Sequence, residues 1–183
     1  MFTYQLRQDI HLQLLETRHA LTVLEVIEAN RAYLGRFLPW VSSTHDENDV
    51  RSFIQVELKR FSENKGFSCG IFYNNQYAGN IGVHDINWDS RYTSIGYWLS
   101  EEHQGKGIMT DACRAMINYL FNELGLNKIE IRARTDNPKS QAIPIRLGFQ
   151  KEGTLRAIEF NDGQYHDHVV YGLLRTDWRT SHA

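Results

Sequence analysis

Residues Glu101 to Ala112 read EEHQGKGIMTDA, so Gly105 and Gly107 flank one lysine directly ahead of a stretch with helical spacing. Glycines let a backbone come close to a ligand, and the free N–H groups at a helix start favour an anion. Read without a ligand, the same stretch is an ordinary strand-to-helix turn with an exposed lysine. It fails as a P-loop, because Lys106 lies between the glycines and not after the second. It fails as GxGxxG, because Thr110 stands at the third glycine position. What remains is Gln-x-x-Gly-x-Met, Gln104 to Met109, leaving a strand and opening a helix, a loop suited to pyrophosphate. A second pattern, YHDHVVY, puts His166 and His168 on one face of a strand. No third metal ligand has suitable spacing nearby, so these histidines and Asp167 are expected to hydrogen-bond within the terminal strands or line a groove.

The bulk properties narrow the partners. The 183 residues are 42% hydrophobic and 23% charged, with a formal charge of −2. One core is affordable at that length, so a single domain over residues 1–183 is expected. There is no basic excess to hold nucleic acid directly. Cys69 and Cys113 are too isolated for a disulfide framework or a CxxC metal pair. No run approaches the roughly 18 apolar residues of a membrane span, and the N-terminus is broken by polar residues where a signal peptide would be apolar. A cytoplasmic protein without membrane attachment is expected.

The elements that must position the loop follow from periodicity. IHLQLLE (Ile10 to Glu16) alternates as a strand. Thr17 to about Leu38 has helical spacing, with Thr17 as candidate N-cap, and a second helix runs from about Glu47 to Asn64. Strands are expected at Phe67 to Tyr73, in YAGNIGVHDINW after a turn at Asn74 to Gln76, and at Tyr92 to Ser100. The helix after the glycine loop presents Ile108, Ala112, Met116 and Leu120 on one face and ends at Gly125. KIEIRAR (Lys128 to Arg134) is a strand. NPKSQAIPIRLGF is a short helix capped by Asn137, with Pro144 in its interior and unable to donate to the Ser140 carbonyl; a kink or irregularity is expected there. Two strands close the chain, near Phe149 to Arg156 and His166 to Arg175. One mixed α/β layer structure accommodates this order.

With these elements in place the sequence resembles the GNAT N-acetyltransferase superfamily, whose signature [Arg/Gln]-x-x-Gly-x-[Gly/Ala] follows a strand and cradles the pyrophosphate of acetyl-coenzyme A. Gln104 and Gly107 match it, while Met109 replaces the small last residue. The order of elements matches over nearly the whole chain. IGYWL, QGKGIM, DNPKSQA and IEFNDGQYHDHVVY make it most similar to the RimL-type branch, which acetylates the N-terminal serine of a ribosomal stalk protein. The resemblance implies an α/β fold of the α+β type: one central, mixed, mostly antiparallel twisted sheet flanked by helices. It implies acetyl-coenzyme A as co-substrate, held by Trp98, Leu99, Gln104, Gly105, Lys106, Gly107, Ile108, Met109, Thr110 and Asn137, and no metal.

Acetyl transfer to an amine needs a neutral nucleophile, a donor for the developing oxyanion and a proton for the departing thiolate. Gly96 in the strand suggests a bulge or close backbone approach, and by analogy the backbone from Tyr97 to Leu99 meets the acetyl carbonyl and pantetheine. The resemblance makes Ser140 the candidate acid for the thiolate and Glu159 the candidate base. An ordinary glutamate near 4.3 is a poor match for an α-amine near 8, a gap of about 5 kcal/mol. Glu159 must therefore be shifted by burial, act through water, or orient the amine. Read without function, Asn137 caps a helix, Ser140 begins it and Glu159 flanks a turn. Trp40, Trp88 and Trp98 are core residues or acceptor-pocket walls. The implied reaction is direct attack in a ternary complex. The acceptor stays open between a protein N-terminus and a small amine such as a polyamine or amino sugar. The last alternative is a non-catalytic coenzyme A-binding module. Exposed edge strands make a homo-oligomer an expectation.

Overall fold

The computed structural model describes residues 3–181, with side chains described from Thr3 to Trp178. The strands are β1 (Thr3–Arg7), β2 (Ile10–Leu14), β3 (Phe67–Tyr73), β4 (Gln76–Val83), β5 (Tyr92–Leu99), β6 (Lys128–Arg134), β7 (Gln150–Asn161) and β8 (Gln164–Leu174). They form one eight-stranded sheet in the order β1-β2-β3-β4-β5-β6-β8-β7. Every neighbouring pair is antiparallel except β5 with β6. The helices are α1 (Ala20–Ala29), α2 (Arg31–Gly35), α3 (Glu47–Ser62), α4 (Ile108–Asn118), α5 (Pro138–Arg146) and α6 (Arg175–Ser181).

Strand alternation divides the apolar residues between two cores. On one face α4 inserts Ile108, Met109, Cys113, Met116 and Ile117 against Ile81, Ile95, Ile131 and Val169. On the other, α1 and α3 lay Val23, Ile27, Val50 and Ile54 over Leu15 and Tyr77. The β3–β4 turn is two asparagines, Asn74 and Asn75, both left-handed at φ 49° and 63°, which matches the right-handed twist of a tight hairpin.

The long first helix expected from Thr17 to Leu38 is in fact three pieces. Thr17–His19 is a 3₁₀ turn capped by Glu16, not Thr17, through reciprocal bonds with His19. α1 then stops at Asn30, whose amide donates to the Val26 carbonyl at 2.9 Å while its oxygen accepts from the Glu101 N–H at 2.9 Å. A polar side chain that satisfies both the helix end and a distant loop makes the break. The fourth strand is shorter than expected, ending at Val83, and β1 and α6 were not foreseen.

Candidate active site

β5 leads through a 3₁₀ turn (Glu101–His103) into the glycine loop and α4. Gly105 and Gly107 adopt φ 74° and 75°, the left-handed region that glycine enters without strain. Gly107 is the N-cap of α4, and its carbonyl accepts the Asp111 N–H at 3.0 Å. That bond is the first rung, so the N–H groups from Gly107 to Thr110 have no acceptor within the helix and point toward the loop. Met109 turns its side chain into the core and is only 6% exposed, so the larger residue at the last signature position leaves the loop backbone clear. Ile108 is equally buried, and Thr110 accepts a hydrogen bond from Arg146 at 2.9 Å. Gln104 bridges α2 and α5, donating to the Tyr33 hydroxyl and accepting from Lys139 at 3.0 Å. The Lys106 ammonium leaves the loop and lies 5.1 Å above the Tyr73 ring.

Arg7, from the unforeseen first strand, ties the loop down. It sits 3.1 Å from the Asp111 carboxylate and donates to the Lys106 carbonyl at 3.4 Å. Arg114 pairs with the other Asp111 oxygen at 2.9 Å. The one carboxylate in the first turn of α4 is thereby neutralised, which keeps the helix start receptive to an anion.

Beside the loop, β5 and β6 pair only from Tyr92↔Lys128 to Ile95↔Ile131 and then part. The Ser100 N–H donates across to Ala78 on β4 at 2.8 Å. Alternation therefore turns the amides of Gly96 and Trp98 toward β4 and those of Tyr97 and Leu99 into the gap. Across this gap α5 begins. Asn137 caps it, accepting the Ser140 N–H at 3.1 Å, and the Tyr97 hydroxyl donates to the Ser140 carbonyl at 3.1 Å. Among the described residues the Ser140 Oγ has no hydrogen-bond partner. α5 is one helical element, Pro138–Arg146, with Pro144 inside it, and this proline has no N–H to give the Ser140 carbonyl. The loop, the parted strand and the start of α5 enclose a cleft of about 870 Å³.

A second cavity of about 650 Å³ is lined by α1, α3 and strands β4 to β8, and meets the first at Phe37, Leu38, Tyr97, Trp98, Asn137 and Ser140. Glu159 lines only this one. It lies on β7 just past a bulge, where Ala157 takes φ 50° and donates its N–H to Asp167 at 2.8 Å. Glu159 Oε2 is 3.3 Å from His168 Nε2, and its Oε1 is 3.7 Å from the buried Arg134 guanidinium. Burial holds His168 below its ordinary pKa, with Arg134 and Arg132 acting in the same direction against the opposing pull of Glu159. Arg134 is fastened to Asp136 at 2.6 Å and to the Arg36 carbonyl at 2.7 Å, and Asn161 donates to the Gly35 carbonyl at 3.0 Å. The Asn161 bond holds the β7–β8 hairpin, and the Arg134–Arg36 bond holds β6, against the loop that carries Phe37.

Five buried side-chain polar atoms among the described residues lack a hydrogen-bond partner. Four of them, Tyr77 Oη, Asn80 Oδ1 and, apart from the ion-pair contacts just given, Glu159 Oε1 and His168 Nε2, belong to residues lining this second cavity. Trp98 packs its ring on Trp40 and Tyr77, at 6.0 and 5.8 Å between centroids, and so walls the second cavity with its side chain. Trp88 lines neither space; its indole donates to the Asn64 carbonyl at 2.7 Å. His166 bonds to the Asn161 carbonyl at 3.2 Å. Among the described residues no group of three or more His, Cys, Asp or Glu is placed to hold a metal. Cys113 is fully buried, and burial pushes its thiol pKa well up. Sequence reasoning missed Arg7, Tyr77, Asn80 and Arg134. Only Arg134, a cation at the end of an alternating strand, carried a local signal.

Residues 9–150 match the family model described as an acetyltransferase (GNAT) domain. The chain belongs to the GNAT acetyltransferase family. The Bacillus subtilis (strain 168) protein YdaF is 36% identical over 179 residues, covering 97% of this chain and 98% of that one. The ribosomal-protein-serine acetyltransferase of Escherichia coli (strain K12) is 29% identical over 94% of this chain and 96% of its own. Among solved structures, RimL, a ribosomal L7/L12 α-N-protein acetyltransferase in complex with coenzyme A, superimposes with a TM-score of 0.91. It shares 25% identity, over 94% of this chain and 98% of that chain. The chain is accordingly an acetyl-coenzyme A-dependent N-acetyltransferase, and the left-handed glycines, free helix-start amides and parted strand fit such a donor. No helix among the described residues is long and apolar enough to cross a membrane.

Proposed function

We propose that this enzyme acetylates the α-amine of a protein N-terminus, a serine terminus of a ribosomal protein first among them, by direct attack in a ternary complex. The carrying observation is the junction of the two cavities at Tyr97–Trp98 and Asn137–Ser140, with Glu159 facing only the second. Acetyl-coenzyme A lies in the first cleft, its pyrophosphate against the amides from Gly105 to Thr110 and its pantetheine along Tyr97 to Leu99 and Asn137. The acceptor enters the second cavity. Its amine, already partly neutral near pH 7 to 8, is oriented by Glu159 and attacks the thioester carbonyl. The Tyr97 and Leu99 amides donate to the oxyanion as it forms. As the carbon–sulfur bond breaks, the Ser140 hydroxyl relays a proton to the thiolate, regaining its own from water, and Glu159 takes the proton the amine sheds, directly or through water. A ribosomal-protein acceptor puts the reaction in the cytoplasm.

Charge supports this acceptor over a polyamine. A polycation needs a carboxylate cluster, yet Asp49, Glu57 and Glu159 share the second cavity with Arg60, Arg132 and Arg134. Glu101 and Asp111 face the donor cleft instead. The test is intact-mass analysis with acetyl-coenzyme A and four acceptors: a stalk protein beginning with free serine, a lysine peptide with a blocked N-terminus, a polyamine and an amino sugar. One acetyl group on the serine terminus alone is expected. Acetylation of only the small amines overturns the acceptor, and coenzyme binding without any transfer favours the non-catalytic module.

A further inference from the structure

Pro144 and Tyr97 lie on separate elements, yet both bear on one atom, the carbonyl oxygen of Ser140. In an unbroken α-helix that oxygen accepts the N–H of the residue four positions on. Here that residue is Pro144, which has none. A carbonyl left without a donor in a part-buried site carries a free-energy penalty. The donor that reaches it comes from outside the helix, the Tyr97 hydroxyl at 3.1 Å. On the other side of the same residue, the Ser140 N–H is bound by the Asn137 side chain at 3.1 Å. The backbone of Ser140 is thus held at both polar groups by side chains, one of them from the strand whose amides face the parted gap.

We propose that Tyr97 is a positioning residue for the transfer step, its phenol replacing the helical donor that Pro144 lacks and so fixing the first turn of α5, and Ser140 with it, against β5. The assignment of a catalytic consequence rests on the reading of Ser140 as the thiolate's acid; the hydrogen-bond replacement does not. Burial pushes the Tyr97 phenol pKa far up, so it remains a donor at any working pH. The arrangement joins the acid to the segment that supplies the oxyanion amides. Breathing of α5 away from the gap then requires breaking this bond.

The proline makes the proposal testable by rescue, because any other residue at position 144 restores the N–H. Tyr97→Phe removes one oxygen, and it is expected to lower kcat about five- to tenfold, with the acetyl-coenzyme A KM little changed, and to lower the melting temperature. In a Pro144→Ala background the same Tyr97→Phe change is expected to alter kcat by less than about twofold and to leave the melting temperature nearly unmoved. Pro144→Leu, which refills the buried volume, serves as the second background should the alanine variant fold poorly. An equal loss from Tyr97→Phe in both backgrounds overturns the replacement. Coupling in melting temperature without coupling in kcat overturns the positioning role while leaving the bond. Ser140→Ala in wild type separates the underlying reading: full activity in that variant means that Ser140 is not the acid, whatever the stability cycle gives.

Discussion

The two halves of the site are built from different materials. On the proposed reading the donor half is main chain: two left-handed glycines, the first amides of α4 and the strand amides of Tyr97 and Leu99. Its side chains turn away, Ile108 and Met109 into the core, Lys106 onto Tyr73. The proposed acceptor half is side chain: Glu159, His168, Arg134, Asn80, Tyr77 and Trp98, brought from five strands and closed by the loop after α2. Backbone recognition suits a constant phosphate-bearing donor, since amides and a helix terminus serve any sequence. Side-chain recognition leaves the acceptor free to vary between relatives on the same fold.

Breaking this comparison begins with the groups at the junction. Ser140→Ala is expected to lower kcat about a hundredfold with the acetyl-coenzyme A KM unchanged, measured by steady-state kinetics. In the donor half, Gly107→Val forces a β-branched residue to φ 75° and should weaken coenzyme A binding by about tenfold or more by calorimetry, while the acceptor KM stays put. In the acceptor half the reverse split is expected. Asn161→Ala removes the hairpin's hold on the Gly35 carbonyl, about 1 kcal/mol, and should raise the acceptor KM about fivefold without touching the donor KM.

The smallest effect is in pH. The folded state holds the His168 pKa below its ordinary value, so the unfolded chain binds that proton more readily. The stability His168 contributes is whole above about pH 6.5, where the unfolded side chain is neutral, and falls as pH drops toward the folded value. His168→Gln should therefore lose less melting temperature between pH 7 and 5 than the wild type, read by thermal denaturation in parallel buffers.

The same contrast explains what could be read from the chain beforehand. β3 and β6 begin and end where alternation puts them, Phe67–Tyr73 and Lys128–Arg134, and the glycine loop declares itself through local composition. A main-chain site is a local feature, so the sequence carries it. Asn30 stopping α1 could not be seen, because its second partner is Glu101, 71 positions away. Glu159, which read without function only flanks a turn, lies within a strand past a bulge held by Asp167. The closing hairpin is longer than expected for the same reason, since the bulge interrupts the alternation that marks a strand. Tyr77 and Asn80 share a face because the β3–β4 register shifts between them, and alternation alone puts residues three apart on opposite faces. Such side-chain convergence depends on tertiary pairing, which no window of the sequence contains.

Everything proposed for the reaction turns on the two cavities meeting at Ser140. A conjugate of coenzyme A bridged through an acetyl group to the α-nitrogen of a serine-first peptide tests it most directly, by calorimetric titration against coenzyme A alone. The conjugate is expected to bind about a hundredfold tighter or better, to compete with both substrates and to lose that gain when Trp98 or Arg134 is replaced by alanine. A conjugate that binds no tighter than coenzyme A, or that fails to compete with the acceptor, would contradict it.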